Sequence, residues 1–361
     1  MHPKLLDKLA KRKANGTFRK LSYLENYVDF YSNDYLGLAR ENELLNTFSG
    51  STGSRLISGN STEAEKCEDF LAKHFRSEAA LVFNSGYTAN LGLLSSVPQR
   101  GDVILYDERI HASAKEGIRL SFAESFSFKH HDYNDLERQL KKLSNKLVYV
   151  VVEALYSMDG TMAHFRRLTQ LCSEFQANLI VDEAHSAGVF GEEGRGVVAA
   201  MDLEDKVFAR IVTFGKSYGI MGAVVLGSEK LREYLINFAR SFIYTTAMPP
   251  EIYGIIHRNV GSETIENRLS NLHQNIAYFR SVFQHKSCIS EINSPIQIIQ
   301  IGEIEKTKTV SEFIIQKQIA VKPIFSPTVP EGQECLRICI HSFDKKSDID
   351  QLVSILKTQL D

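Results

Sequence analysis

The chain has 361 residues, of which 43% are hydrophobic and 24% are charged, and its net charge is −2 at neutral pH. These values are typical of a globular protein of one or two domains, and they give no electrostatic reason to expect nucleic acid or an anionic membrane as a partner. Five cysteines form no CxxC pair, and no apolar run approaches the roughly 20 residues that cross a bilayer. We therefore expect a cytoplasmic protein with free thiols and no metal site.

Before the first predicted strand, the chain carries two turn-rich segments. A basic helical pattern covers residues 4–21 and contains Arg19. The pair Asn33-Asp34 marks a turn, and glycine and serine are frequent between residues 49 and 61. We assign residues 1–48 to an N-terminal segment that precedes the first domain.

From residue 64 onward, helical and strand patterns alternate. Strands are predicted at 79–83, 103–106, 147–152 and 179–181, and helices at 64–74 and 166–175. This alternation predicts an α/β domain with a mostly parallel sheet. Ligands of such sheets bind at the carboxyl ends of the strands, where Ser157, Asp182 and Thr213 are expected.

A turn bracketed by glycines follows Thr213 and projects Lys216 from the same edge of the sheet. Most lysines in loops are solvated. A buried lysine, in contrast, has a lowered pKa and can act as a nucleophile toward a carbonyl carbon. The polar residues at the neighbouring strand ends favour this second interpretation.

Two further turns carry candidate site residues. The turn that contains Gly86 and Tyr87 lies between a strand and a helix, and a helix N-terminus in that position suits a phosphate group. His111 begins another helical stretch. A histidine there is most often a cap or a surface residue, so the sequence alone leaves its role open.

The pattern changes after residue 250. A helical region is predicted at 251–285, followed by shorter strands and helices that include strand 336–340 and helix 346–359. This indicates a smaller α+β domain at the C-terminus. Alternation within strand 336–340 places Arg337 and Cys339 on one face.

Several segments, in this order along the chain, resemble motifs of the α-oxoamine synthases, which are fold-type I pyridoxal-phosphate enzymes related to aspartate aminotransferase. The matching segments are Asn33–Gly37, Ser85–Tyr87, His111–Ser113, Ser157–Gly160, Asp182–His185 and Thr213–Lys216. The resemblance covers essentially the whole chain. It implies a large cofactor-binding α/β domain at 49–250, a C-terminal α+β domain at 251–361 and a homodimer with shared active sites.

The resemblance also implies a catalytic set. Lys216 would hold pyridoxal 5'-phosphate covalently and later remove the α-proton of the amino acid. Asp182 would keep the pyridine nitrogen protonated, so that the ring accepts electrons. His185 would bind the ring 3-oxygen, and His111 would stack on the ring.

The remaining implied contacts are with the phosphate and the substrates. The phosphate and ring would be bound by Gly86, Tyr87, Thr213, Ser157 and, from the partner subunit, Thr246. Arg337 would bind the amino-acid carboxylate with help from Asn33, whereas Arg19 and Thr328 would contact the acyl substrate. The chain departs from the family at Cys335, where an arginine is common.

The resemblance leaves the substrates to be chosen within the family. Segments 238–250 and 326–332 are most similar to members that condense L-alanine with pimeloyl-CoA or pimeloyl-acyl carrier protein. Other members, such as 2-amino-3-ketobutyrate CoA ligase, serine palmitoyltransferase and 5-aminolevulinate synthase, use the same cofactor groups. A cofactor-free binding scaffold is an alternative of another class. The presence of the catalytic set argues against it, because a scaffold would need none of these residues. A nucleotide-binding protein lacks support, because the chain has no GxxxxGK[ST] motif.

Overall fold

The computed structural model describes residues 27–38 and 50–360, together with residues 10, 11, 13 and 14. The N-terminal two thirds of this part contain strands β1 (Val28–Asp29), β2 (Ala79–Phe83), β3 (Val103–Asp107), β4 (Glu124–Phe128), β5 (Val148–Glu153), β6 (Asn178–Asp182), β7 (Ala209–Thr213) and β8 (Ala223–Gly227). Strands β2 to β8 form one sheet in the order β2-β8-β7-β6-β5-β3-β4. Its neighbours from β7 to β4 are parallel, and β8 is antiparallel to both β7 and β2.

Helices connect these strands. They are α1 (Thr62–His74), α2 (Gly86–Ser96), α3 (Ala112–Leu120), α4 (Tyr133–Lys142), α5 (Phe165–Glu174), α6 (Val197–Ala200), α7 (Glu229–Phe238) and α8 (Arg240–Ile243). Serine side chains at Ser61, Ser85 and Ser228 cap α1, α2 and α7 by accepting a backbone N–H, as expected for N-cap residues. The predicted strands and helices of this region are therefore present. Strand β4 was not predicted, because it is an edge strand whose residues are mostly exposed.

The C-terminal part contains α9 (Pro250–Val260), α10 (Ile265–Val282), β9 (Ile296–Gln300), α11 (Ile304–Gln316), β10 (Ile319–Ala320), β11 (Lys322–Ile324), β12 (Cys335–Cys339) and α12 (Lys346–Leu360). The strands β11, β12 and β9 form an antiparallel sheet, whereas β10 pairs in parallel with β1. The helical region predicted at 251–285 is divided into α9 and α10 at Gly261. The domain boundaries at 48 and 250 stay predictions.

The hydrophobic core explains why the middle strands are fixed in place. Every residue of β5 and β7 is buried, as expected for parallel strands that are covered by helices on both faces. One continuous apolar cluster also joins the two parts of the chain, since Leu71 of α1 and Tyr253 of α9 both belong to it. None of the described helices is both long and apolar enough to cross a membrane.

The sheet determines where polar side chains meet. Strands β5, β6 and β7 are parallel neighbours, and they end at Glu153, Asp182 and Thr213. Their carboxyl ends therefore lie side by side at one edge of the sheet. Asp182 and Thr213 lie at strand ends as predicted, whereas Ser157 lies in the loop beyond β5.

Candidate active site

A cavity of about 300 Å³ lies at this edge of the sheet. Its lining contains most of the residues that the sequence assigned to the cofactor, namely Gly86, Tyr87, His111, Asp182, His185, Thr213 and Lys216. These residues come from three strand-to-helix connections, from the end of β7 and from the turn after it. The fold therefore brings together side chains that are up to 130 positions apart in the sequence.

Lys216 lies in the turn between β7 and β8. Backbone hydrogen bonds from Phe214 N to Gly222 O (2.9 Å) and from Ile220 N to Phe214 O (3.0 Å) close this turn. Gly222 has a φ of +114°, a conformation that residues with a side chain rarely adopt. The lysine as a whole is partly exposed to the cavity, but its amine lies among protein groups. This burial lowers the pKa of Lys216 to about 8, although the carboxylates nearby partly offset it.

Asp182 is the last residue of β6, and only 6% of it is exposed. Its Oδ2 accepts a hydrogen bond from Asn90 Nδ2 at 2.8 Å, and its Oδ1 accepts one from the backbone N–H of Ala184 at 2.9 Å. Two donors therefore fix the direction of this carboxylate. A carboxylate held in this way suits a cationic ring nitrogen.

Two histidines contribute neutral rings. Burial lowers the pKa of His185 well below its ordinary value and also lowers the pKa of His111. His185 Nδ1 lies 2.9 Å from the hydroxyl of Tyr35. His111 caps α3, and its Nδ1 accepts hydrogen bonds from the backbone N–H and the hydroxyl of Ser113. Because protein groups hold both Nδ1 atoms, Nε2 is the nitrogen that each ring can offer to a ligand.

The start of α2 forms a cradle for an anion. Ser85 caps the helix by accepting the N–H of Thr88, so the first N–H groups of the helix, at Gly86 and Tyr87, remain for a ligand. A Cβ atom on Gly86 would come within 2.4 Å of Thr213 Cγ2, so only glycine keeps this space open. Thr213 Oγ1 is buried and has no hydrogen-bond partner among the described residues. An unpartnered hydroxyl beside a helix N-terminus fits a bound phosphate.

Arg337 lies outside the cavity lining, in β12. It is 7% exposed, and its Nε donates to Ser157 O at 2.8 Å. Its Nη2 donates to Asn33 Oδ1 at 2.9 Å, and its Nη1 to Cys339 Sγ at 3.0 Å. The structure thus joins the predicted substrate residues Asn33 and Arg337. Ser157 contacts Arg337 through its backbone carbonyl and does not belong to the cavity lining.

The other predicted residues lie elsewhere. Thr246 is exposed, and its carbonyl accepts a hydrogen bond from Asn84 Nδ2 at 2.9 Å, close to the cavity lining. Thr328 is exposed, and its backbone N–H donates to Phe325 O. Arg19 lies outside the described residues. Their roles stay predictions.

Among the cavity residues that sequence reasoning missed, Glu153 and Asn90 are the two that interact with Asp182. Glu153 is buried, and its Oε1 has no hydrogen-bond partner within the described part of the chain. Burial, together with the charge of Asp182, raises the pKa of Glu153 to about 8. It directly follows a predicted strand, so the strand-end rule that selected Asp182 would have found it. Asn90 gives no such signal, because it lies inside a helix and its role depends on contact with Asp182.

Comparison with known proteins identifies the family. Residues 25–356 match the family described as aminotransferase class I and II. The chain belongs to this family. This family membership confirms three predictions: the fold class, an enzymatic function and pyridoxal 5'-phosphate as the cofactor.

Curated relatives of this aminotransferase-family chain extend over its whole length. The 8-amino-7-oxononanoate synthase of Emericella nidulans is 37% identical and covers 99% of this chain and 95% of its own. The 8-amino-7-oxononanoate synthase of Cellvibrio japonicus is 35% identical and covers 96% of this chain and 93% of its own. These relatives confirm the resemblance to the α-oxoamine synthases.

Solved structures agree with the fold. A serine palmitoyltransferase of Sphingomonas wittichii has a TM-score of 0.91 and 25% identity, and the match covers 99% of this chain and 97% of that one. The 8-amino-7-oxononanoate synthase of Francisella tularensis has a TM-score of 0.79 and 29% identity, over 93% of this chain and 98% of that one. Structural similarity is therefore high to members with different substrates, and it does not choose between them.

Proposed function

We propose that this protein is an 8-amino-7-oxononanoate synthase, a pyridoxal-phosphate-dependent acyltransferase of biotin biosynthesis. It condenses L-alanine with a pimeloyl thioester and releases CO₂. The observation that carries the proposal is the enclosed Lys216 amine in one cavity with Asp182, His111 and His185. Full-length relatives of this name, at 35% and 37% identity, support the choice of substrates.

The cavity fits the cofactor, because it offers a lysine, a fixed carboxylate and an anion cradle. When bound, pyridoxal phosphate supplies a ring that withdraws electrons from the α-carbon of the amino acid. Lys216 would hold the cofactor through its amine, Asp182 would pair with the ring nitrogen, and His185 would form a hydrogen bond with the ring oxygen. The N–H groups of Gly86 and Tyr87, with the hydroxyl of Thr213, would hold the phosphate.

Lys216 would also be the base, once the amine of alanine has replaced it on the cofactor. With a pKa near 8, a useful fraction of its amine is neutral at neutral pH and can accept the α-proton of alanine at Nζ. The α-carbon then bonds to the thioester carbonyl carbon and the thiol leaves. The carboxyl group of alanine departs as CO₂, and a proton returns to the α-carbon.

The amino acid would be bound through its carboxylate. Arg337 presents a planar guanidinium that suits a carboxylate, and Asn33 is bonded to it. We propose that Arg19 and Thr328 contact the pimeloyl chain, with CoA or acyl carrier protein as its carrier. Glycine lacks only one methyl group, worth about 1–3 kcal/mol, so it should be a poor substrate and not an inert one.

We also propose that the protein is a cytoplasmic homodimer with shared active sites. The five cysteines form no disulfide, which suits a reducing compartment. Thr246 and the apolar Tyr244, which is 78% exposed, lie on the segment whose backbone meets Asn84 of the cavity lining. We infer that this segment meets a second copy and that Thr246 reaches the partner's phosphate site.

The dimer is tested by mixing subunits. A Lys216→Ala subunit and a Thr246→Val subunit each have a defect, but one site of the mixed dimer retains both groups. Activity should therefore recover in part once subunit exchange is verified. Failure to recover would contradict shared sites and leave the reaction itself untouched.

The reaction is tested in two steps. Borohydride reduction of the cofactor-loaded protein should attach the cofactor to the peptide that contains Lys216, and the Lys216→Ala variant should give no such peptide. Product formation is then compared for alanine, glycine and serine, each with pimeloyl and acetyl thioesters. Faster turnover of glycine with acetyl-CoA than of alanine with the pimeloyl thioester would transfer the assignment to 2-amino-3-ketobutyrate CoA ligase.

A further inference from the structure

A buried hydroxyl connects the two ends of the site. Tyr35 is fully buried, and its hydroxyl lies 3.1 Å from Asn33 Oδ1 and 2.9 Å from His185 Nδ1. Asn33 Oδ1 also accepts the hydrogen bond from Arg337 Nη2. A continuous line of hydrogen bonds therefore runs from the guanidinium that would bind the amino-acid carboxylate to the imidazole that lines the cavity.

The tyrosine hydroxyl, which also interacts with Arg337 and Cys339, has one proton, so it can donate to only one of the acceptors Asn33 Oδ1 and His185 Nδ1 at a time. If it donates to Asn33 Oδ1, then His185 Nδ1 must carry a proton and donate to the tyrosine oxygen. If it donates to His185 Nδ1, the neutral ring carries its proton on Nε2. The direction of this one O–H bond therefore decides whether His185 offers an acceptor or a donor to the cavity.

The protein keeps the groups in the protonation states that this choice requires. Burial, with a further contribution from Cys339, raises the pKa of Tyr35 far above its ordinary value, so the hydroxyl retains its proton. Burial lowers the pKa of His185, and the charges of Lys216 and Arg337 lower it further, so the ring stays neutral. The ring of Tyr35 is also held between those of His185 and His341, at centroid distances of 6.2 and 6.4 Å.

We propose that Tyr35 is a positioning residue that couples occupancy of the carboxylate anchor, Arg337 and Asn33, to the tautomer of His185. A bound carboxylate takes a hydrogen bond from the side-chain amide of Asn33, which turns toward it, and this movement carries Oδ1 away from the Tyr35 hydroxyl. The hydroxyl turns to His185 Nδ1, and Nε2–H faces the cavity as a donor. The site thus gains its donor when an amino acid is bound. This inference rests on the proposed function for the identity of its ligands.

The tautomer of His185 can be measured directly by NMR of ¹⁵N-histidine-labelled protein, with the signals assigned by their loss in a His185→Asn variant. Alanine is compared with ethylamine, which has the same amine but no carboxylate. In the cofactor-loaded protein, alanine should change the ratio of the two tautomers by about fivefold, the factor that corresponds to a hydrogen bond of about 1 kcal/mol. Ethylamine should change it much less.

Two variants separate the relay from a general effect on packing. Tyr35→Phe removes the hydroxyl and should abolish the difference between alanine and ethylamine. Asn33→Ala removes the competing acceptor and should move His185 toward the Nε2–H tautomer even without an amino acid. Tyr253→Phe removes another buried tyrosine hydroxyl, next to Arg55, and should behave like the wild type.

The outcomes distinguish this inference from the proposed function. Equal His185 spectra with alanine and ethylamine, or an unchanged response in Tyr35→Phe, would overturn the relay while product formation still stood. If the wild type bound no cofactor, the proposed function would fail. The shift caused by Tyr35→Phe and Asn33→Ala in the cofactor-free protein would still decide whether Tyr35 controls the tautomer, and no shift there would overturn the inference.

Discussion

Two regions of the site differ in how the hydrogen-bonding groups of their side chains are satisfied. The cofactor edge consists of the carboxyl ends of β5, β6 and β7, with Glu153, Asp182 and Thr213. The carboxylate anchor consists of Arg337 and Asn33. At the cofactor edge, Thr213 Oγ1 and Glu153 Oε1 are buried and have no hydrogen-bond partner within the described residues. At the anchor, each of the guanidinium nitrogens of Arg337 donates to a protein atom, namely Ser157 O, Asn33 Oδ1 or Cys339 Sγ. A ligand at the cofactor edge can therefore supply hydrogen bonds that are missing. A ligand at the anchor must replace hydrogen bonds that are already formed.

The two regions are therefore expected to bind their ligands in different ways. A buried polar atom without a partner carries a cost of about 1–3 kcal/mol, and a ligand that supplies the bond removes it. The cofactor edge is therefore prepared for a resident group. At the anchor, a carboxylate replaces neutral acceptors by a charged one, so the net gain is smaller and binding is reversible, as a substrate requires.

The largest expected effect tests the cofactor edge. Asp182→Asn keeps the shape of the side chain and removes its charge, so the ring nitrogen loses its anionic partner. Exchange of the alanine α-proton with solvent should slow by about 10²–10³-fold, the range for loss of one preorganised electrostatic group. Exchange is followed by NMR in heavy water.

The same variant carries its own control. Because the Asp182 carboxylate raises the pKa of Lys216, its removal should lower this pKa below about 8 in the cofactor-free protein. The pH dependence of acylation of Lys216 measures that shift. Wild-type exchange rates in the Asn variant would contradict the role assigned to Asp182.

The second effect tests the anchor. Arg337→Lys retains the charge but loses the planar fork and the bonds to Asn33 and Ser157. The KM for alanine should rise by about 10–100-fold, whereas the KM for the pimeloyl thioester should change little. Titration of the cofactor absorbance with alanine gives the same comparison without the acyl substrate. An equal rise in both KM values would mean that Arg337 supports the fold of the site rather than the carboxylate.

The two regions also differ in how much of each could be predicted from the sequence. Asp182, Thr213 and Lys216 follow strands that apolar runs make visible, and parallel strands end at one edge, so their proximity was predictable. Asn33 and Arg337 are 304 positions apart and belong to the N-terminal segment and β12. Only the resemblance to a family connected them, because no local pattern states which turn meets which strand.

The missing parts of the prediction also have physical reasons. The role of Asn90 comes from a tertiary hydrogen bond to Asp182, and that of Tyr35 from one to His185. Neither residue differs from an ordinary polar or aromatic residue of a helix or a turn. Strand β4 lacked an apolar run because the edge of the sheet leaves it exposed.

The loop that contains Ser157 and Asp159 supports the anchor. His130 lies between Asp107 (2.9 Å) and Asp159 (3.1 Å), and these two carboxylates raise its pKa to about 9, against the effect of burial. Asp159 belongs to the same loop as Ser157, whose carbonyl holds Arg337. The charged His130 therefore stabilises the loop whose Ser157 carbonyl binds Arg337.

The sign of the pH dependence follows from the raised pKa. The folded protein binds the proton of His130 more tightly than the unfolded chain, whose histidine pKa is 6.5. Its stabilising contribution is complete below pH 6.5 and is lost as the pH rises to about 9. His130→Gln should lower the free energy of unfolding most at pH 6, and its difference from the wild type should shrink toward pH 9. Urea denaturation at a series of pH values measures this difference, and a constant difference would refute the charged state.

The smallest expected effect separates the backbone of the anchor from its side chains. Family resemblance assigns Ser157 a contact with the cofactor, but its recorded hydrogen bonds use its backbone, with N–H donating to Glu153 Oε2 at 3.2 Å and the carbonyl accepting from Arg337. Ser157→Ala keeps both bonds. The KM for alanine and the affinity for the cofactor should therefore change by less than about threefold, below the factor of about five for one neutral hydrogen bond. A larger loss, confined to the cofactor, would place the Ser157 hydroxyl on the ligand and extend the cofactor edge toward the anchor.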